Sequence, residues 1–286
     1  MRSGKPSRTA QFVAFNRALS TLAPQVPGFS DPLAVEFLPE GWQRRVERVK
    51  ASLEKRPGKS PYPFYVRAGN CVVNQLRTVV LDRAIAAARD VPQLVILGAG
   101  FDARAWRLDG LAETLVFEVD HPATQAVKRE RVGARAPKAR EVRFVSIDFQ
   151  RDDLAAALER AGFEAARRTC WVWEGVTMYL WPEVVAENLR VFAALSGGGS
   201  RIAFTYMGKD RGRVRRSVFL ALLGEPVRSA FSPAEMMETA ALCGWATVAD
   251  SGIEDWLRDL APDLRLTRRQ AGLQWFERIL VAEKTS

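Results

Sequence analysis

Among the side chains able to do chemistry, one glycine turn and one acid stand out by their spacing. Gly98-Ala99-Gly100-Phe101-Asp102-Ala103 follows the apolar run Leu94-Val95-Ile96-Leu97. Asp120 ends the next apolar stretch about 20 residues on, where a carboxylate one strand over can accept both hydroxyls of a ribose. Glycines in such a turn let the backbone approach a ligand closely. The combination points to a nucleoside-bearing cofactor and leaves its identity open. A G-x-G-x-x-A string suits a dinucleotide as well as an S-adenosylmethionine loop. A tight strand-to-helix turn with no ligand is the plain alternative; strand, turn and spaced acid occurring together weigh against it.

Other chemistries are narrowed by what the chain lacks. Hydride transfer of the short-chain dehydrogenase kind needs a Lys four residues after a Tyr. The residues four on from Tyr62, Tyr65, Tyr179 and Tyr206 are Val66, Gly69, Glu183 and Asp210. The single His, His121, sits beside Asp120, poorly placed as a proton partner for hydride transfer. A Ser-His-Asp triad would depend on that one imidazole. The scattered cysteines, Cys71, Cys170 and Cys243, do not form the usual ligand pairs, so no metal is expected.

The elements that must position these residues can be read from periodicity. The 286 residues, 48% hydrophobic and 26% charged, suffice for one large domain with a proper core. Apolar spacing predicts helices over 9–22 and from about 65 to 89, with a proline-bearing loop over 55–63. The stretch 35–53 is broken by Pro39-Glu40-Gly41 and continues as a charged helix. From Leu94 onward, short apolar runs read as strands: 94–97, 115–119, 142–147, 170–173, 202–206, 247–250 and 278–282. Pro182 opens a helix ending before Ser196-Gly197-Gly198-Gly199. Ser232-Pro233-Ala234-Glu235 is a capping-box start for a helix that stops at Gly244. Alternation of strands and helices predicts a doubly wound α/β sheet.

The balance of 42 Lys+Arg against 33 Asp+Glu gives a net charge of +9. It suits either a nucleic-acid or anionic-substrate footprint or basic residues spread over solvated helix faces. Their dispersal favours the second reading. No apolar stretch approaches the length of a membrane span, and Met1 to Ala10 carries charge with no apolar run behind it. No membrane contact and no signal peptide are expected. The odd, scattered cysteines point to a reducing, cytoplasmic compartment.

Several segments carry a resemblance in the same order along the chain. Leu97-Gly98-Ala99-Gly100-Phe101-Asp102-Ala103-Arg104-Ala105-Trp106-Arg107-Leu108 comes first. Phe117-Glu118-Val119-Asp120-His121-Pro122, followed by Lys128, is the second. Asp148-Phe149 with Arg151-Asp152-Asp153 is the third, and Trp173-Glu174-Gly175-Val176-Thr177-Met178-Tyr179-Leu180 the fourth. Together they resemble the cofactor motifs of the leucine carboxyl methyltransferase-like family of S-adenosylmethionine-dependent methyltransferases. Arg77-Thr78 with Asp82, Ser7-Arg8-Thr9-Ala10 with Arg17-Ala18, and Gly224-Glu225-Pro226 resemble further elements of that family.

The resemblance implies a Rossmann-like class I methyltransferase fold: a seven-stranded, mostly parallel sheet with the last strand antiparallel, plus a helical cap. Residues 1–90 would form the cap and cofactor lid, and 91–286 the core, with 207–231 as a cap insertion, effectively one domain. Arg77 would clamp the methionine carboxylate of S-adenosylmethionine, Gly98 and Gly100 would admit its backbone, and Asp120 would hold the ribose. Asp148 and the Phe149 backbone N–H would meet the adenine, and Glu174 would sit near the methionine amino end. Ala103 and Trp181 depart from the family's smaller or hydroxylated residues there, which bears on the shape of the pocket.

Methyl transfer from a sulfonium depends mostly on proximity and orientation. A carboxylate is ionised at neutral pH and needs no base, whereas a phenol benefits from one. With no spare His, the expected acceptor is a carboxylate or acidic hydroxyl of an anionic or aromatic small molecule, with Tyr179 and Glu174 positioning it. Lys209-Asp210-Arg211-Gly212-Arg213-Val214-Arg215-Arg216 could be a basic lid or a solvated charge run. Trp171, Trp173, Trp181 and Tyr206 could line an aromatic pocket or pack the core. The competing readings are a nucleic-acid methyltransferase, disfavoured because no Asn/Asp-Pro-Pro-aromatic string or Pro-Cys pair occurs, and an NAD-type oxidoreductase or a non-catalytic nucleoside-cofactor binder.

Overall fold

A computed structural model describes residues 7–56, 68–88, 90–148, 152–209 and 227–285. Seven strands form one sheet: β1 Gln93–Leu97, β2 Leu115–Asp120, β3 Glu141–Ser146, β4 Thr169–Trp173, β5 Arg201–Met207, β6 Trp245–Gly252 and β7 Glu277–Lys284. Their order is β3-β2-β1-β4-β5-β7-β6. The first five pair in parallel, and β7 runs antiparallel between β5 and β6. The seven-stranded sheet with its antiparallel last strand is as expected. Strand ends move by one or two residues, and β6 gains residues at both ends around a bulge between Thr247 and Ala249. That extra residue turns Val248 to solvent, 54% exposed, and breaks the alternation that sequence periodicity relies on.

The central strands β1, β2 and β4 are buried along their whole length, which requires helices on both faces. One face carries α6 Leu154–Arg160, α7 Pro182–Ala194 and α8 Pro233–Leu242. The other carries α1 Arg8–Leu22, α2 Glu40–Lys55, α3 Ala68–Ala87, the single turn α4 Arg104–Arg107, α5 Pro122–Val132 and α9 Ile253–Leu260. A further turn, α10 Arg268–Ala271, packs on α3. The charged helix begins at the Pro39-Glu40-Gly41 break itself, with Pro39 as its N-cap at φ −57°, an angle the pyrrolidine ring imposes anyway. Ser232 and Glu235 form the expected capping box of α8.

Of the two readings open for the aromatic residues, core packing holds for three of the four. Trp171, Trp173 and Tyr206 are 0–2% exposed. Trp171 stacks on Phe192 at 4.9 Å, and Trp173 meets the same ring edge-on at 5.3 Å. The two tryptophans fill the space between the sheet and α7, because odd-numbered positions of β4 face that layer, and Tyr206 lies beside Phe204 on β5. Trp181 stands apart, 55% exposed. Most of the 55–63 loop, the basic run beyond Lys209 and Gly224-Glu225-Pro226 lie outside the described residues.

Candidate functional site

From β1 the chain turns towards β2 and β3, while β4 and β5 lie on the other side. The crevice beyond the carboxyl ends of β1 and β4 is therefore the topological switch point, where open α/β sheets bind ligands. Two turns face each other there. Gly98 has φ +62°, and a Cβ on it would stand 2.6 Å from Val176 Cγ2 in the turn after β4. Only glycine fits so close to that wall with that backbone. Gly100, at φ +47°, lies against α1, where an added Cβ would meet Ala10 Cβ at 3.3 Å. The Ala99 N–H donates to the Val119 carbonyl at 3.1 Å, tying the turn to β2.

Asp120, at the end of β2, accepts the Gly100 N–H on Oδ2 and the His121 N–H on Oδ1 at 2.5 Å. Burial pushes its carboxyl up, and the two backbone amides only partly oppose that. His121 Nδ1 accepts the Ala123 N–H at 3.2 Å, so the lone imidazole caps α5. The start of α1 is fastened to the same region: the Ser7 N–H donates to Thr124 Oγ1 at 3.1 Å. Arg17 Nη2 donates to the Phe101 carbonyl at 2.7 Å, and Arg17 Nε pairs with Asp31 at 3.1 Å.

Behind the glycine turn lies a buried lattice of charges. Arg77, on α3, donates from Nε to Glu174 Oε1 at 2.8 Å and from Nη1 to both oxygens of Glu277, at 2.8 and 3.0 Å. Arg104, fully buried, donates to Glu174 Oε2 and to Asp82, at 2.8 and 2.7 Å, and also pairs with Asp102. Asp82 in turn takes both terminal nitrogens of Arg107, at 2.6 and 2.9 Å. Burial would raise the Glu174 carboxyl, but Arg77 and Arg104 outweigh it and hold the group well below the usual carboxylate range. Four carboxylates thus share three guanidiniums, an acidic excess inside a chain of net charge +9.

Sequence reasoning named Arg77 and Glu174 but missed Arg104 and Glu277 as members of the site. Arg104 had a local signal, since it follows Asp102 by two residues and donates to that carboxylate twice, from backbone and side chain. Glu277 had none: it is brought to Arg77 from 200 residues away by the antiparallel return of β7.

The remaining candidates lie around this core. Asp148 follows β3, half-buried, and its N–H donates to Asp152 Oδ2 at 2.7 Å; Phe149 lies outside the described residues. Tyr179, half-buried in the 3-10 turn Thr177–Tyr179, packs with Met178, Met207, Val227, Ala230 and Phe276 in a small apolar cluster. The Arg228 N–H donates to the Met178 carbonyl at 2.7 Å, and its guanidinium covers the Trp181 ring at 5.1 Å. Tyr206 is not part of this group. Its hydroxyl donates to Asp250 at 2.6 Å, and burial together with that carboxylate pushes the phenol up. The cysteines are free and buried, and burial pushes the Cys71 and Cys170 thiols up to about 12. Among the described residues, no cluster of His, Cys, Asp and Glu has the makings of a metal site, and no helix is long and apolar enough to cross a membrane.

The strand order, the glycine turn and the acid after β2 define the class I methyltransferase architecture. A family model described as leucine carboxyl methyltransferase matches residues 10–193, and the chain belongs to that family. A relative from Mycobacteroides abscessus is 41% identical over 157 residues, covering 52% of this chain and 48% of its own. One from Mycobacterium sp. (strain KMS) is 40% identical over 189 residues, 63% and 60% of the two chains. Both are named "Putative S-adenosyl-L-methionine-dependent methyltransferase". The chain therefore aligns with about half to three-fifths of these relatives' length. In fold it is similar to a "putative methyltransferase" from Thermobifida fusca, with a TM-score of 0.59 at 16% identity over 100% of this chain and 97% of that one. Magnesium protoporphyrin IX methyltransferase from Synechocystis, solved with bound SAH, gives a TM-score of 0.50 at 14% identity, over 86% and 95%.

Proposed function

We propose that the protein is an S-adenosylmethionine-dependent O-methyltransferase acting on a carboxylate or acidic hydroxyl of a small molecule. The observation that supports the cofactor reading is the contact between the Gly100 amide and the Asp120 carboxylate at the switch point: a carboxylate stands at the mouth of the glycine turn, where a ribose would be held. Asp120 would hold the ribose hydroxyls, with Gly98 and Gly100 keeping the turn close to the ligand. Arg77 would meet the methionine carboxylate and Glu174 its amino group. Asp148 and the Phe149 backbone would face the adenine. When bound, the cofactor supplies a methyl group made electrophilic by its sulfonium. The acidic excess of the Arg77–Glu174–Arg104 lattice suits a ligand carrying both a sulfonium and an ammonium charge.

The acceptor side supports an ionised nucleophile. His121 spends Nδ1 on capping α5, Tyr206 is bound to Asp250, and the thiols are buried. None of these serves as a general base, whereas a carboxylate acceptor requires none. Tyr179, beside Met178 and Met207, would position the acceptor's apolar body with Glu174 nearby. Residues 1–90 would act as cap and cofactor lid over a 91–286 core, with 207–231 as a cap insertion. The buried free cysteines suit a cytoplasmic enzyme, with neither membrane nor nucleic acid as partner.

The test is methyl-labelled S-adenosylmethionine offered with a panel of organic acids, phenols and nucleic acid. Label that is released as methanol in mild base marks a carboxyl ester and supports the proposal. Label that resists base on a nitrogen, or that enters nucleic acid, contradicts it.

A further inference from the structure

A cavity of about 590 Å3 adjoins the Asp82–Arg107 end of the buried charge lattice. It is bounded by the C-terminal half of α3, the turn at 28–33, α4 with Leu108, and the segment after α5. It shares no residue with the glycine turn, Asp120, Arg77 or Glu174. Its size falls in the range of small-molecule pockets, and an apolar floor with a few convergent polar groups is what such pockets present. Leu33, Val79 and Trp106 supply the floor.

The rim is cationic. Arg83, Arg107, Arg135 and Lys138 line it against a single acid, Asp82. That acid is already neutralised, since Arg104 and Arg107 both donate to it. Arg83 is exposed and has no hydrogen bond or ion pair among the described residues. Arg135 and Lys138 pair with Glu36 and Asp109, each at 2.5 Å, with side chains 39–88% exposed; such exposed pairs contribute little and yield readily to a competing anion.

We propose that this cleft is a second ligand site, distinct from those for cofactor and acceptor, that takes a compact organic anion. An apolar ring would rest on Leu33, Val79 and Trp106, and its carboxylate would reach Arg83, Arg107 and Lys138. The charge-assisted contacts would hold the acid group, and the floor would select against a bare inorganic anion.

The experiment is calorimetry on the full chain saturated with S-adenosylhomocysteine, with 2-naphthoate as the probe and 2-naphthol and inorganic phosphate as controls. The expected result is that 2-naphthoate binds at least about tenfold more tightly than either control, as for loss of a charged hydrogen bond or of the ring's burial. The doubly charge-reversed variant Arg83→Glu/Lys138→Glu is expected to lose about tenfold or more of that affinity. Its affinity for S-adenosylhomocysteine should stay within about twofold, which also reports that it is folded. Arg83→Ala alone gives a smaller loss in the same direction. The proposal is overturned if 2-naphthoate binds no better than 2-naphthol or phosphate, or if charge reversal leaves its binding unchanged.

Discussion

Arg104 Nη1 lies 2.8 Å from Glu174 Oε2, joining the turn after β1 to the turn after β4. The same guanidinium also holds Asp82 on α3 and Asp102 in the glycine turn. One side chain therefore fixes the three elements that surround the switch point, and it does so from complete burial.

Arg104→Met is expected to destabilise the fold by about 3–5 kcal/mol, because it leaves buried carboxylates without their partner. Arg104→Lys recovers little, since one ammonium cannot span three acids set for a planar fork. Urea unfolding measures this; a loss below about 1 kcal/mol would mean that Arg104 is not the keystone of the lattice.

Glu174 gives a pH signature. Its folded carboxyl lies below the ordinary glutamate value because Arg77 and Arg104 outweigh the effect of burial. The folded state thus binds fewer protons there than the unfolded state. Its stabilisation is present above about pH 4.5 and is lost as pH falls through the lower folded value. The stability gap between the natural chain and Glu174→Gln should be widest at neutral pH and narrow on acidification below about pH 4. A gap constant across that range would contradict the assignment.

Arg77 separates binding from chemistry. If it meets the cofactor's carboxylate, Arg77→Ala raises the KM for S-adenosylmethionine more than it lowers kcat. Steady-state kinetics with cofactor varied read this directly, and a fall in kcat at unchanged KM would move Arg77 to the acceptor side.

How far the sequence carries such reasoning differs between elements. The apolar run 94–97, the glycine turn and Asp120 are local features, and each is found where spacing placed it: a buried strand, a left-handed turn and a carboxylate at its mouth. Family order extended this to Arg77 and Glu174 as separate site residues; that they pair with each other, at 2.8 Å, is seen only in the fold. Neither reading gave their partners. Glu277 arrives through strand order, which no local pattern encodes. For the tryptophans of β4 the pattern left pocket and core both open, because an aromatic run looks the same whether it lines a pocket or packs under α7; burial decides for the core.

A second buried pair sits beside Asp120 and was likewise invisible as a pair. Lys128 Nζ lies 2.6 Å from Glu118 Oε2, each side chain 1% exposed, with Trp106 and Phe37 rings 5.4 and 5.9 Å from the ammonium. Burial pushes the Glu118 carboxyl up to about 7 against the pull of Lys128. Glu118→Met alone should cost about 3–5 kcal/mol by stranding the ammonium, whereas Glu118→Met/Lys128→Leu should lie within about 1 kcal/mol of the natural chain. Denaturant unfolding of the four proteins of that cycle tests it; single-variant losses that simply add in the double variant would show that the pair is not coupled.

The central claim, that the switch point holds S-adenosylmethionine through Asp120, is tested most directly by calorimetric titration of the natural chain and of Asp120→Ala with S-adenosylhomocysteine and with NAD. The account predicts saturable binding of S-adenosylhomocysteine, none of NAD, and a loss of about 1–3 kcal/mol in the variant as a charged hydrogen-bond acceptor is removed. Binding of NAD in place of S-adenosylhomocysteine, or an affinity for S-adenosylhomocysteine unchanged in Asp120→Ala, would contradict it.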